Sequence, residues 1–180
     1  WGLEHMNIER TATVLDIGCG GGKTVDRLCS IVANGKVYGI DYSELSVKSS
    51  EKLNSKNILC NKAKILQASV SDMPFDDNTF DNITAVETYY FWPDKENDVK
   101  EVFRVLKQGG TVMLLFEMLR TDDDPFKWEK VENMLNIKSV TPQEIRAVLE
   151  SAGFENINTY TKEGTTWLCA TAQKPKDDKN

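Results

Sequence analysis

The sequence predicts a doubly wound α/β fold, formed by a single domain over residues 1–174. Five short runs rich in Val, Ile and Leu alternate with helix-like stretches between residues 13 and 116. Such alternation is typical of a parallel sheet that is covered by helices on both faces. The chain has 180 residues, of which 40% are hydrophobic, and this is enough for one well-buried core.

The individual elements follow from the hydrophobic pattern and from the Gly, Asp and Pro residues that bound it. Gly109 is predicted to be the C-cap of the helix that precedes the fifth strand. The predicted strands are 13–17, 36–40, 64–68, 81–86 and 111–116, and the predicted helices are 23–32, 43–54 and 94–107.

The end of the chain departs from this alternation. Thr141, Pro142 and Glu144 predict a helix start, with an N-cap, a first-turn proline and a capping-box glutamate. Strand candidates follow at 155–160 and 165–172, and only TKEG separates them. Parallel neighbours need a crossover of a dozen or more residues, so these strands are predicted to form an antiparallel hairpin. The charged tail KPKDDKN is predicted to fray, with the domain ending at 174 and the frayed part at 175–180.

Composition excludes several classes of protein. A net charge of -6 argues against a nucleic-acid substrate. The four scattered cysteines and the single histidine argue against structural zinc and against a disulfide framework. No apolar run approaches the roughly 20 residues of a membrane helix, so no membrane partner and a cytoplasmic location are expected. Trp1 is not an initiator methionine, and we expect a segment upstream of it.

The stretch DIGCGGGKT, residues 16–24, lies between the first strand and the first helix and is predicted to be a ligand-binding loop. A P-loop needs G-x-x-x-x-G-K-[ST], and although Gly22 and Lys23 fit, Ile17 stands where the first glycine should be. The dinucleotide fingerprint G-x-G-x-x-G fits Gly18 and Gly20, but Lys23 replaces its third glycine. Neither pattern fits at every position.

A third pattern, an acidic residue followed by glycines at alternate positions, fits throughout. Asp16 precedes Gly18, Gly20 and Gly22, and the bare backbone allows close approach of a ligand carboxylate at the start of a helix. Asp16 can balance an ammonium group, whereas Lys23 is predicted to be a solvated residue of the first helical turn. Asp41, at the end of the second strand, can accept hydrogen bonds from ribose hydroxyls in either this or the dinucleotide interpretation.

The motifs LDIGCGGG, GIDYS, DMPFDDNTFD and VLKQGG together resemble the class I S-adenosylmethionine-dependent methyltransferases, in particular the small-molecule type (methyltransferase-11-like). The resemblance extends from about Leu15 to the last strand. It implies a Rossmann-like seven-stranded sheet in the order 3-2-1-4-5-7-6, with strand 7 antiparallel. It also implies S-adenosylmethionine as cofactor and S-adenosylhomocysteine as product.

The resemblance implies a set of cofactor-binding residues. The acid that the family often carries near the adenine amino group is replaced by Ser69, so that Ser69, Val70 and Ser71 are the candidates for this contact. Cys19 is interpreted as a packing residue within the loop, and Ser43 as the cap of the second helix. The implied set is Asp16, Gly18, Cys19, Gly20, Gly22, Asp41, Tyr42, Ser69, Val70 and Glu87.

Candidates for catalysis are fewer. Glu87 and Tyr90 follow the fourth strand, where Glu87 could touch the methionine end of the cofactor and Tyr90 could line the acceptor pocket. His5 is the only histidine and a candidate base. Phe91 and Trp92 are predicted to be core residues. The stretch 117–140 is a candidate lid, with a solvated helix over the sheet edge as its alternative.

The predicted function is transfer of the sulfonium methyl group to a small-molecule acceptor by in-line displacement, with no metal. The D/N-P-P-Y motif of enzymes that methylate exocyclic amines of nucleic-acid bases is absent, which again disfavours that substrate. Two alternatives stay open at this point. One is a catalytically silent cofactor-binding or regulatory protein of the same fold, and the other is an NAD(P)-binding oxidoreductase.

Overall fold

The structure is a computed structural model that describes residues 1–124 and 126–176. Residues 177–180 of the predicted tail lie outside the described part. Two short 3₁₀ helices, Gly2–His5 and Tyr89–Phe91, accompany the regular elements. The strands are β1 (Thr13–Ile17), β2 (Lys36–Asp41), β3 (Ala63–Gln67), β4 (Phe80–Val86), β5 (Leu106–Phe116), β6 (Glu155–Thr161) and β7 (Leu168–Gln173). The helices are α1 (Lys23–Ile31), α2 (Glu44–Leu53), α3 (Ser55–Leu59), α4 (Lys95–Val105), α5 (Glu129–Leu135) and α6 (Pro142–Ser151).

One sheet joins all seven strands in the order β3-β2-β1-β4-β5-β7-β6. The first five strands are parallel, whereas β7 runs antiparallel to both β5 and β6. The sheet order implied by the resemblance and the predicted C-terminal hairpin are therefore confirmed.

Alternate residues of the central strands face helices on opposite sides of the sheet. Val14 packs in a cluster with Val25 and Leu28 of α1, whereas Leu15 belongs to the larger cluster that contains Val102 of α4 and residues of α6. Since successive strand side chains point to opposite faces, the central strands bury side chains on both faces of the sheet. This is the doubly wound α/β fold that the sequence predicts.

The boundary between α4 and β5 corrects the prediction for Gly109. The helix ends at Val105 with Leu106 as its C-cap, and Gly109 lies inside β5 with φ 74°. Phe80 pairs with Leu106 but Asn82 pairs with Thr111, so β5 bulges between these two pairs. A residue in this bulge has to adopt a positive φ, which glycine does easily. Gly109 therefore serves the bulge in β5 and does not cap α4.

The C-terminal part confirms the predicted capping box and buries the side chain of Lys174. The Thr141 hydroxyl accepts from the Glu144 main-chain N–H and the Glu144 side chain accepts from the Thr141 N–H, with Pro142 in the first turn. Lys174, the last residue of the predicted domain and the first of the charged stretch KPKDDKN, is 5% exposed. Its ammonium donates to the main-chain carbonyls of Phe103 and Leu106 at 2.8 Å each. In residues 1–124 and 126–176, no helix is long and apolar enough to cross a membrane.

Candidate active site

A cavity of about 530 Å³ opens at the carboxyl edge of the sheet, between the ends of β1, β2 and β4. Because β1 lies between β2 and β4, the strand order reverses there. Open α/β sheets bind ligands at such a reversal point. The cavity is thus where the fold predicts a site, and residues that follow β3 complete its wall.

The glycine loop contributes Gly18 to the cavity lining, and its other glycines have different structural roles. A Cβ on Gly18, which has φ 68°, would lie 2.1 Å from the Thr88 hydroxyl, so glycine lets the loop pass against the end of β4. A Cβ on Gly22, with φ 83°, would lie 2.4 Å from the Ser50 hydroxyl, and this glycine therefore faces α2. Gly20 has no atom within 4 Å of its Cβ position. Lys23 begins α1 as predicted and is exposed, and it does not line the cavity.

Asp41 ties the glycine loop to the loop that follows β2. Its Oδ2 accepts from the Gly20 N–H and its Oδ1 from the Ser43 N–H, both at 2.9 Å. Asp41 lines the cavity, as does the exposed Tyr42. Each carboxylate oxygen has two acceptor sites, so these contacts leave capacity for ligand hydroxyls. Ser43 caps α2 as predicted, since its hydroxyl accepts from the Ser46 N–H.

Asp16 lies below the glycine loop at the end of β1 and is only 2% exposed. The Thr84 hydroxyl donates to its Oδ1 at 2.6 Å. Burial raises the pKa of Asp16 to about 7, the Thr84 hydrogen bond opposes this rise, and the nearby Asp41 charge adds to it. Thr84 was not among the predicted site residues, although a threonine within the apolar run of β4 was the available signal.

Cys19 behaves as the packing residue that the sequence suggests. Its Sγ lies 3.8 Å from the Ser50 hydroxyl, and the side chain is buried in the cluster beneath α1. Burial raises the pKa of the Cys19 thiol to about 12, with further increases from the charges of Asp16 and Asp41. The thiol therefore stays protonated and is a poor nucleophile at neutral pH.

Ser69 and Val70 form the wall that follows β3. Val70 is buried and both residues line the cavity, whereas the exposed Ser71 does not. The Ser69 hydroxyl accepts from the Ser71 N–H at 3.2 Å. This geometry places the first two adenine candidates at the cavity and leaves Ser71 outside it.

The charged pair Glu101 and Arg104 on α4 binds the main chain at Met73 and Phe75, in the loop that follows β3. Neither residue of the pair was among the predicted site residues. Arg104 donates to Glu101 at 2.7 Å and to the Phe75 carbonyl at 2.8 Å, and Glu101 accepts from the Met73 N–H at 3.0 Å. The Arg104 hydrogen bond lowers the pKa of Glu101 and keeps this carboxylate charged. The pair fixes the path of the chain directly after the Ser69–Val70 wall.

Glu87 lies where β4 ends and lines the cavity. Its backbone is left-handed, with φ 57°, a conformation that a non-glycine residue seldom adopts and that often marks functional sites. Its Oε1 is buried and has no hydrogen-bond partner among the described residues. Burial raises the pKa of Glu87 to about 7, and the negative charge of Glu117 raises it further. A hydrogen bond from the Glu117 main chain has the opposite effect and lowers this pKa.

The aromatic residues after Glu87 divide between the core and the cavity. Tyr90 is 4% exposed, its hydroxyl accepts from the Met118 N–H at 2.9 Å, and it does not line the cavity. The prediction for Phe91 is wrong, since this residue is 52% exposed and lines the cavity. Trp92 is buried as predicted and contributes to the cavity wall. The 3₁₀ turn at this point presents Phe91 outward and turns its neighbours inward.

His5 and the candidate lid lie outside the cavity wall. The His5 ring stacks on Tyr160 with a centroid distance of 4.0 Å, within the N-terminal segment that packs on β5 and β7. Leu119 bridges to Val140, and the Trp128 Nε1–H donates to the Leu119 carbonyl at 2.9 Å, so the base of segment 117–140 is fixed. None of the described residues of this segment lines the cavity, and its action as a lid stays a prediction.

The charges at the cavity all have one sign. Asp41 and Glu87 line it and Asp16 lies directly behind the glycine loop, whereas none of the described lining residues is Lys, Arg or His. Buried carboxyls without a counter-charge favour a cationic ligand, while phosphates are usually held by cations or by several backbone N–H groups. The site is therefore better suited to a positively charged ligand than to a pyrophosphate.

Comparison with known proteins agrees with this fold and site. The Methyltransferase domain family matches residues 15–114. An uncharacterised methyltransferase of Bacillus subtilis (strain 168), YdaC, is 28% identical over 177 residues, which is 97% of this chain and 90% of that protein. The ubiquinone/menaquinone biosynthesis C-methyltransferase UbiE of Cronobacter sakazakii is 31% identical over 186 residues, covering 90% of this chain and 74% of its own length.

A solved structure shares the fold at lower sequence identity. The phosphoethanolamine N-methyltransferase 2 of Haemonchus contortus, in complex with phosphomonomethylethanolamine and S-adenosylhomocysteine, superimposes with a TM-score of 0.80 at 14% identity. The match covers 97% of this chain and 51% of that one. The match to the family domain covers more than half of the chain, and the sheet order and the glycine loop agree with it. The chain therefore belongs to the class I S-adenosylmethionine-dependent methyltransferases.

Proposed function

We propose that the cavity binds S-adenosylmethionine and that the protein transfers its methyl group to a small-molecule acceptor. The observation that carries the proposal is the acidic cavity, which Asp41 and Glu87 line and behind which Asp16 lies buried, with no basic residue among the described lining residues. The methionine end of S-adenosylmethionine carries a sulfonium and an ammonium group, and both are complementary to this field. NAD and ATP would instead bring phosphates to a site with no basic side chain among its described lining residues.

Each wall of the cavity has a proposed part of the ligand to hold. The remaining acceptor sites of Asp41 take the ribose hydroxyls, and Ser69 and Val70 flank the adenine. The glycine loop lies along the methionine moiety, with Asp16 and Glu87 near its positive charges. Gly20 and Gly21 are loop positions at which the absence of a side chain leaves open space.

The protein's contribution to the reaction is position and exclusion of water. S-adenosylmethionine, when bound, would supply a methyl group on a positively charged sulfur. The acceptor atom would attack the methyl carbon in line with the C–S bond, and the electron pair of that bond would stay on the sulfur of the departing neutral thioether. Phe91 and Trp92 offer an apolar surface against which an acceptor can be held. Holding two reactants in line can contribute roughly 7–11 kcal/mol, so no metal or nucleophilic side chain is required.

Ligand titration tests the proposal directly. S-adenosylmethionine and S-adenosylhomocysteine should each raise the melting temperature, since a ligand at about 100 times its Kd stabilises by roughly 2.7 kcal/mol. NAD and ATP at the same concentrations are the matched controls and should give no shift. A shift with NAD or ATP and none with the two adenosyl ligands would overturn the assignment.

Turnover is measured as formation of S-adenosylhomocysteine with a panel of acceptors, which includes a reduced quinone because the UbiE relative is named for quinone biosynthesis. Methyl transfer to one member of the panel is the expected result. Tight binding without turnover on any acceptor would support the catalytically silent alternative instead.

A further inference from the structure

We propose that Glu87 makes the cavity selective for cationic ligands, because its carboxyl gives up a proton when the positive end of the ligand arrives beside it. The inference rests on the proposed function, since S-adenosylmethionine is the cationic ligand in question. In this role Glu87 distinguishes ligands by their charge, which a hydrogen bond to the cofactor would not do by itself.

Glu87 combines a constrained main chain with a buried carboxylate oxygen at the cavity. The residue sits in a left-handed backbone conformation at the end of β4, and its N–H donates to the Leu115 carbonyl at 3.0 Å. The sheet contact thus fixes the main chain while the side chain lines the cavity. Its Oε1 is buried and unpartnered within the described part of the chain. A buried acceptor that lacks a donor costs free energy until a ligand supplies one.

The surroundings of Glu87 oppose ionisation of its carboxyl. Glu117, at the end of the neighbouring strand β5, lies close enough to disfavour the ionised form of Glu87, and Tyr90 is the other titratable group that faces it. The pKa of Glu87 is raised to about 7, chiefly by burial. Below this pH the unoccupied protein therefore holds a neutral carboxylic acid at the cavity wall.

Asp16 is the second carboxyl of this kind, and it has to be separated from Glu87 in any measurement. It faces Asp41 and Cys19, accepts the Thr84 hydroxyl, and its pKa is also raised to about 7. No positively charged side chain lines the cavity among the described residues. An arriving cation then supplies the counter-charge that the described lining residues lack, and it lowers the pKa of the carboxyl that it contacts.

Proton linkage gives the sign of the effect. At pH 6, one unit below a pKa of about 7, roughly nine-tenths of a carboxyl is protonated and must ionise on binding, so close to one proton is released. At pH 8 the carboxyl is already ionised and almost none is released. Affinity for the cation consequently rises with pH up to about pH 7 and is constant above it.

The experiment is calorimetric titration of S-adenosylmethionine at pH 6 and pH 8, each in two buffers of different ionisation enthalpy, which counts the protons released. The Glu87→Gln variant keeps the shape of the side chain and removes its charge. It should release about one proton fewer than the wild type at pH 6. At pH 8 it should bind about a hundredfold more weakly, because release of nearly one proton at pH 6 requires the pKa of Glu87 to fall by about two units on binding. At pH 6 the difference between the two affinities should narrow to about tenfold.

Three ligands identify the charge that Glu87 recognises. S-adenosylhomocysteine keeps the ammonium but lacks the sulfonium charge, and 5′-methylthioadenosine lacks both. Dependence on Glu87 that is shared by S-adenosylmethionine and S-adenosylhomocysteine indicates the ammonium, and dependence for S-adenosylmethionine alone indicates the sulfonium. Equal dependence for 5′-methylthioadenosine would overturn the proposal, because that ligand brings no cation to this end of the cavity.

A second variant keeps the proposal testable if Glu87→Gln does not fold. Glu117→Gln removes an exposed neighbouring charge, so it should lower the pKa of Glu87 and shift the rise in affinity to lower pH. Proton release that is unchanged in both variants would overturn the role of Glu87 while leaving the proposed function intact. No binding of S-adenosylmethionine by the folded wild type would overturn the proposed function itself.

Discussion

At the scale of single residues, Asp41 is the side chain on which the proposed ligand site depends most, because it connects two of the cavity loops. Asp41→Ala should weaken binding of S-adenosylmethionine by at least about a hundredfold, the equivalent of two charge-assisted hydrogen bonds. Calorimetry on the folded variant measures this. Lys23→Ala is the matched control, since Lys23 is exposed and begins α1 outside the cavity wall, and it should have little effect. The reverse ranking would indicate a phosphate-bearing ligand.

Site residues could be predicted from the sequence where the neighbouring residues in the chain determine their role. The side chains around them could not be predicted, because contacts between distant parts of the chain determine those surroundings. Asp16 and Asp41 are recognisable because each lies at the carboxyl end of a strand and adjoins a glycine-rich or capping motif. The hydroxyl that holds Asp16 comes from Thr84, 68 positions later in the chain. Glu87 was found at its strand end, but its left-handed backbone and its proximity to Glu117 depend on how β4 and β5 pair.

At the scale of elements, α4 depends on a lysine from beyond the last strand. Lys174 donates to the carbonyls of Phe103 and Leu106 and to the Asn78 side chain, all at 2.8 Å, where the last carbonyls of the helix lack partners in the next turn. A cation at a helix C-terminus also interacts favourably with the helix dipole. Lys174→Met should therefore lower the free energy of unfolding by about 2–4 kcal/mol, because buried carbonyl acceptors lose their donor.

The denaturant midpoint measures this change, and Lys176→Met is the matched control because Lys176 is exposed. The control should shift stability by less than about 0.5 kcal/mol. Equal shifts in the two variants would show that Lys174 contributes only through general charge and not through its cap on α4.

Prediction of the elements succeeded where the signal was local. The capping box at Thr141 needs only four residues, and it appears in the structure with both of its hydrogen bonds. The end of α4 was misplaced because the chain from Leu106 pairs with β4, and this pairing overrides the glycine that would otherwise stop a helix. Phe91 was misassigned for a related reason, since alternation in an aromatic run cannot show which rings a 3₁₀ turn will present outward.

At the scale of the whole molecule, the fold holds two carboxyls in surroundings that oppose their ionisation. The pKa of Asp16 is raised from 3.8 to about 7 and that of Glu87 from 4.5 to about 7, in both cases chiefly by burial. Near pH 5 to 7 the folded protein therefore binds more protons than the unfolded chain, so this contribution to stability falls as pH rises. Above about pH 7 both states are ionised and the contribution is constant.

Other carboxyls do not obscure this window. The pKa values of Glu101 and Glu132 are lowered by hydrogen bonds from Arg104 and Ser139, respectively. Groups of this kind add stability above their unfolded pKa of 4.5 and lose it as pH falls through the lower folded value. Their contribution is thus nearly complete by about pH 5. Changes between pH 5 and pH 8 report mainly on Asp16 and Glu87.

Asp16→Asn should make the unliganded protein more stable at neutral pH, because the neutral amide can still accept the Thr84 hydroxyl and needs no buried charge. Its advantage over the wild type should grow from pH 5 to pH 7 by at least about 1 kcal/mol and then level off. Denaturant unfolding at several pH values measures it. Saturating S-adenosylmethionine should reverse the order, since the wild type gains a partner for the carboxylate and the variant does not. Parallel stability profiles for the two proteins, with or without ligand, would show that Asp16 carries no raised pKa and that the fold gives up no stability to keep an acidic cavity.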